Sequence, residues 1–380
     1  MRPRLLLNCA PISFGGALQA SVSFIREAIR DADYDWYYIL SHEARRNLRD
    51  FQSEPDEHRV LIVDASPARS AKTRKCIASF VDQVEPQAIF TFFGPAYQRF
   101  SQPHLMGVAD GWVTHANRLS YSTLDGGFSR ARMLAQCIYK GLWYRAADRW
   151  VTEAECARQG LSGRYRIGTE RIAVVPNNCA QAYHDAAGTF EQGGAVGQQR
   201  QRIVTLSAYY PHKNLRIIPQ VARALLDMGR EGFCFQLSLD ADGEGWLQLQ
   251  AQAEQLGVQG YIETVGVVPL AKGRDFYRGA AVMFMPSLLE TFSASYPEAM
   301  AMQVPIVTVD LDFARNICGD AALYYRPESA AEAAHKIAQL LDEPGCAEQL
   351  RSRGLEVLAG LPEPIQRYRM YRDQLLALVA

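Results

Sequence analysis

Short apolar runs alternate with longer amphipathic ones along most of the chain. Runs of four to seven apolar residues bounded by polar or turn residues read as buried strands: Leu5–Cys9, Trp36–Leu40, Val60–Val63, Ala88–Phe93 and Ile172–Val175. Stretches with helical spacing fall between them, at Gly16–Arg30, Ala68–Val84 and Arg130–Ala146. Strand–helix alternation predicts βαβ units and a parallel sheet. The pattern restarts at Arg202, with Ile203–Leu206, Phe233–Leu239, Tyr261–Thr264, Val282–Met285 and Pro305–Thr308 again separated by helices. The fold class expected is therefore α/β, with two doubly wound sheets.

The predicted divisions are 1–175 for the first domain, 176–201 for a linker and 202–361 for the second domain. The linker is rich in Gly and Gln and ends in Gln198-Gln199-Arg200-Gln201. Pro362 to Ala380 reads as a final helix. At 380 residues the chain is long for a single core, which agrees with two domains.

Composition is ordinary for a globular protein, and a net charge of −1 argues against general nucleic-acid binding. The charge is unevenly spread. Met1–Val175 holds 23 Lys and Arg against 18 Asp and Glu, and the remainder holds 17 against 23. A basic first half suits an anionic acceptor or a membrane surface, and suits a plain solvated face equally well. Eight scattered cysteines form no C-x-x-C pair, so no zinc site is expected, and Cys9 and Cys234 read as buried thiols. Nothing resembles a signal peptide or a run of about twenty apolar residues, so a cytoplasmic protein is expected.

The chemistry concentrates between Pro286 and Pro305. Glu290 and Glu298 stand eight positions apart, after the strand-like run Ala281–Met285 and across a loop of small and hydroxyl residues. Pro297 introduces a helical stretch expected from Glu298 to Gln303, since proline suits a first helical turn. Backbone N–H groups from Thr291, Phe292 and Ser293 to Ser295 open that helix, where an anion is favoured. Carboxylates accept hydrogen bonds from sugar hydroxyls. A Glu in a first turn is also favoured by the helix dipole alone, so the spacing fits a binding site or an ordinary strand–loop–helix unit.

The string from Pro286 to Pro305 resembles the donor-site signature P-S-x-x-E-x-F-x-x-x-x-x-E-A-M-A-x-x-x-P of the family-four retaining glycosyltransferases. Looser resemblance runs from Arg202 to Asp342, and the first half is similar in layout only. The resemblance implies the GT-B fold: two Rossmann-like domains facing a central cleft, the final helix crossing back to the first domain. It implies hexosyl transfer from a nucleotide diphosphate sugar, GDP- or UDP-linked, to a saccharide or lipid-linked saccharide acceptor, with retention and without metal or other cofactor. The rival classes are an epimerase or phosphorylase of similar build, and a non-catalytic relative. By the family pattern Glu290 holds the donor sugar and Glu298 the ribose.

Three further loops join this site. Gly15 and Gly16, after Phe14, let a backbone come close to a phosphate or simply make a tight turn; the resemblance places them at the donor diphosphate. Lys213, at a helix start where the dipole disfavours it, has a reason to be there if a diphosphate binds. The family's G-R-L-x-x-x-K pattern puts a second basic residue where this chain has Ala208, leaving Lys272, Arg274 or Arg278 to substitute. Val265, Gly266 and Val267 resemble the loop lining the base pocket. On the acceptor side Asp110 stands where many relatives have a His, with His115 five residues on; each is a candidate base or a structural residue. Asp240 and Asp242 read as a turn. Basic residues beside Trp143, Tyr144 and Trp150 predict an ordinary surface helix with its apolar stripe inward, or else peripheral membrane contact.

Overall fold

A computed structural model describes residues 2–12, 15–50, 53–184, 200–269 and 272–379. Phe14 and most of the expected linker, 185–199, lie outside the described residues. The chain divides into two compact units. One comprises Met1–Ala116, Gly126–Asn177 and Pro362–Ala380, the other Asn117–Asp125 and Asn178–Leu361.

The first unit is built on seven parallel strands: β1 (Arg4–Asn8), β2 (Asp35–Ser41), β3 (Val60–Val63), β4 (Ala88–Thr91), β5 (His104–Val108), β6 (Arg149–Thr152) and β7 (Ile172–Val174), in the order β3-β2-β1-β4-β5-β6-β7. β1 and β4 are almost entirely buried because helices cover both faces of a parallel sheet. That is why these segments read as continuous apolar runs rather than alternating ones. The helix Gly15–Arg30 packs Phe24 against Trp36, Phe90 and Phe92, with ring centroids 5.4 to 5.6 Å apart.

The final helix, Pro364–Leu376, completes this core. Tyr368 lies 5.0 Å from Phe24, and Tyr371 lies 5.5 Å from Phe90 and 5.3 Å from Phe92. Their polar ends are satisfied. Trp36 Nε1 donates to the Tyr368 hydroxyl at 3.1 Å, and that hydroxyl donates to Asp31 at 2.7 Å. Arg372 reaches the same carboxylate at 3.0 Å, and Arg367 donates to Ser23 Oγ at 3.0 Å. The last segment thus belongs to the first unit.

The second unit has six parallel strands: β8 (Gln201–Thr205), β9 (Phe233–Leu237), β10 (Ile262–Thr264), β11 (Val282–Met285), β12 (Ile306–Val309) and β13 (Ala322–Tyr325), ordered β10-β9-β8-β11-β12-β13. Both units are therefore Rossmann-like. In each, the strand order turns around between the first strand and the fourth, which is where ligands bind in doubly wound sheets, beyond the carboxyl ends of the strands. Cys9 and Cys234 are buried as expected, and burial pushes both thiols well above their ordinary pKa.

Candidate active site

The turn-around in the second unit lies between β8 and β11, and the two loops leaving those strands carry Lys213 and Glu290. Buried hydroxyls fix both loop bases. Thr205 Oγ1 donates to Phe284 O at 2.7 Å, and Thr308 Oγ1 donates to Met285 O at 3.0 Å while sharing a 2.7 Å hydrogen bond with Tyr296 OH. Further out, Leu288 N donates to His212 O at 2.7 Å and Ser295 Oγ to Leu206 O at 3.4 Å. The hydroxyl residues Ser287, Thr291 and Ser293 are buried in the second loop.

Pro211 starts a single 3-10 turn, Pro211–Lys213, and Asn214 closes it in the left-handed region at φ 52°. Asparagine tolerates that conformation better than most residues. The turn aims the lysine at the neighbouring loop. Lys213 Nζ donates to Glu290 Oε1 at 2.5 Å, and only 17% and 10% of the two side chains are exposed. Two of the predicted donor residues thus meet as an ion pair.

Glu298 sits in the helix Ser295–Ala301, which begins earlier than expected, with Pro297 inside its first turn. Proline fits there because its missing N–H would have no intrahelical partner. Glu298 N is the next donor and reaches Ala294 O at 3.0 Å. The Glu298 side chain is buried, and burial pushes its carboxyl up to about 7. Tyr277 OH donates to it at 3.4 Å, a long contact that leaves a buried carboxylate poorly satisfied.

Beside it lies a feature the sequence did not announce. The Tyr183 ring is 6.3 Å from that of Tyr277 and is buried, yet its hydroxyl has no partner among the described residues. Gly273 permits this packing, since a Cβ there would stand 2.0 Å from the phenol oxygen. Tyr183 and Tyr277 come from segments remote in sequence and carry no motif of their own, so only the fold reveals them. Of the three basic residues suggested as stand-ins at Ala208, Arg274 acts on the Tyr183 phenol and donates to Ala182 O at 3.2 Å. Arg278 pairs with Asp275 at 3.2 Å, and Lys272 is exposed ahead of the helix Gly273–Tyr277.

Val265, Gly266 and Val267 follow β10. The Thr264 hydroxyl accepts from Gly266 N at 3.2 Å and donates to Leu239 O at 2.5 Å, and Gly266 takes φ 78°. The two valines project, 48% and 71% exposed. Asp240 and Asp242 form the expected turn, with Asp242 N donating to Asp240 Oδ1 at 3.2 Å.

In the first unit, Gly15 opens its helix at φ 71°, and space around it and Gly16 is open. Asp110 follows β5 and caps the helix Gly111–Thr114, accepting from Val113 N at 3.3 Å and pairing with Lys140 at 2.7 Å. His115 ends that helix, half-buried, with Nδ1 2.8 Å from Thr114 Oγ1. His104 is buried between Thr91 Oγ1 at 2.9 Å and Ala146 O at 3.3 Å, and burial pushes it down to about 4, so it is a neutral core residue.

Comparison with known proteins bears on this arrangement. Residues 200–343 match the family model described as Glycosyl transferases group 1. A curated relative is the phosphatidylinositol N-acetylglucosaminyltransferase GPI3 subunit of Saccharomyces cerevisiae, 25% identical over 171 residues, covering 43% of this chain and 36% of that protein. The match thus spans about a third of the relative's length. Among solved structures, a glycosyltransferase from Rickettsia africae superposes with a TM-score of 0.75 at 13% identity, covering 100% of this chain and 99% of its own. Anabaena Alr3699/HepE, in complex with UDP and glucose, gives 0.72 at 15% identity over 99% and 100%. WaaG, a glycosyltransferase involved in lipopolysaccharide biosynthesis, gives 0.70 at 12% identity over 98% and 99%. The fold is GT-B.

Proposed function

We propose that this glycosyltransferase, whose second unit belongs to the group 1 family, moves a hexose from a nucleotide diphosphate sugar to a hydroxyl of a saccharide or lipid-linked saccharide. The reading includes retention of anomeric configuration and no metal. One observation carries it: the Lys213–Glu290 pair at the turn-around of the second sheet. UDP is the nucleotide to test first, because a neighbour of the same fold binds UDP and glucose.

The chemistry follows from the groups available. An ammonium has three donors. Glu290 takes one from Lys213, which leaves the others for diphosphate oxygens. Charge growing on the departing diphosphate is then met by a cation already held in place. Preorganised donors of this kind typically contribute about 3 kcal/mol each. Glu290 orients the sugar and opposes positive charge at the reacting carbon. Glu298 accepts from ribose hydroxyls, which would supply the hydrogen bonds that Tyr277 alone does not. Lys213 takes the role that a metal has in other transferases, so turnover is expected to survive chelation by EDTA.

Replacing Glu290 with Gln tests the assignment. The variant should still show a UDP-induced rise in melting temperature while turnover falls by roughly a hundredfold or more. Turnover equal to the parent's would remove Glu290 from the mechanism. Nucleotide release that needs no acceptor, or that needs phosphate, would point to epimerisation or phosphorolysis instead.

A further inference from the structure

The helix Gly126–Tyr144 does not bury its apolar side. The residues it turns inward are Cys137, Gly141 and Tyr144, with Met133, Lys140 and Trp143 half-covered. Gly141 lies against the Tyr165 ring, 2.1 Å from where a Cβ would stand, so this face is clamped in contact. Lys140 is drawn inward by Asp110. The opposite face carries Phe128, Leu134, Ile138, Tyr139 and Leu142, exposed by 83%, 51%, 56%, 48% and 63%. At about 100° per residue they fall on one side of the helix, with the exposed Ala131 and Ala135 between them. Five of the thirteen large apolar residues exposed among the described residues belong to this one helix. They form a patch rather than scattered surface residues. The inward apolar stripe expected from sequence is therefore corrected.

Charge identifies what covers the patch. Between Gly126 and Ala147 there is no Asp or Glu, and Arg130, Arg132 and Arg145 are exposed. An apolar face edged by arginines, with Tyr139 and Trp143 at its margin, has the composition of a helix lying in a lipid headgroup layer. Two copies of the same face would bring like charges together. Among the described residues no helix is long and apolar enough to cross a membrane. We propose that this helix docks the protein on an anionic membrane leaflet, its apolar side chains entering the headgroup–acyl boundary and its arginines pairing with lipid phosphates. Docking here rests on no part of the donor site.

Vesicle sedimentation of the full chain tests it. The protein should sediment with phosphatidylcholine–phosphatidylglycerol vesicles, and about tenfold less with phosphatidylcholine alone or at high salt. Ile138→Glu with Leu142→Glu should cut binding by about tenfold or more while the circular dichroism and unfolding temperature stay those of the parent. Both positions are solvent-facing, so the fold tolerates the change. Arg130→Gln with Arg132→Gln should weaken binding to the anionic vesicles only. A parent protein that stays in the supernatant, or a double-Glu variant that sediments equally well, overturns the proposal. So does a dimer that this variant dissociates, which would assign the face to a second copy.

Discussion

Glu298 is buried with one long hydrogen bond, and its acid–base behaviour follows. Its carboxyl titrates at about 7 in the folded chain against an ordinary 4.5. The unfolded chain releases this proton first, so the contribution of Glu298 to stability is complete below pH 4.5. It is lost as pH rises to about 7, to the extent of about 3 kcal/mol. Glu298→Gln should therefore melt higher than the parent at pH 8 and not at pH 4, as differential scanning fluorimetry would show. The same variant should bind UDP more weakly. If the ionised form accepts the ribose hydroxyls, parent affinity should rise as pH passes through about 7; a flat profile by calorimetric titration would remove that role. Lys213 and Glu290 behave as a unit. Removing either charge leaves the other buried, a loss of about 3 kcal/mol, whereas Lys213→Met with Glu290→Leu should cost less than the two singles combined.

At the scale of elements, unbroken apolar runs were the easiest to read, whether fully buried, as Val282–Met285 is, or half-buried at the sheet edge, as Val60–Val63 is. Val60–Val63 and Val282–Met285 are found as expected, and most others shift by a residue or two. β5 and β6 escaped because each begins with a polar residue, His104 or Arg149, that the fold absorbs. His104 is buried, and its backbone N–H donates to Asp148 at 2.8 Å. The Glu pair and Lys213 were singled out because the strings around them resemble a family pattern, their spacing alone fitting an ordinary strand–loop–helix unit equally well; the structure brings Lys213 and Glu290 together. Tyr183 and Tyr277 were not singled out, because what matters about them is an adjacency made only in the folded chain. The direction of the helix Gly126–Tyr144 was hidden for a related reason: its period is helical either way, and small residues at Cys137 and Gly141 let the less apolar side face inward. The final helix gives a direct test of packing. Tyr371→Ala empties a site against Phe24, Phe90 and Phe92 and should destabilise the first unit by about 3–5 kcal/mol in urea unfolding.

For the whole molecule, the repeated strand order matters most. Each unit reverses its order beside its first strand, yet among the described residues only the second unit places a cation and two acids at and near the reversal. In the first unit Asp110 follows β5, one strand beyond the reversal, and is committed to a helix cap and to Lys140. The nucleotide should therefore leave its mark on the second unit. With UDP bound, hydrogen exchange should slow across 206–214 and 286–299, where backbone amides line the two loops leaving β8 and β11. The outward helix 126–144 should exchange as before, because none of its exposed side chains belongs to the donor site. Slowing spread evenly over both sheets would mean general stabilisation by mass action rather than contact at those loops. No slowing at 206–214 would separate Lys213 from the nucleotide and leave its pairing with Glu290 as a structural tie alone.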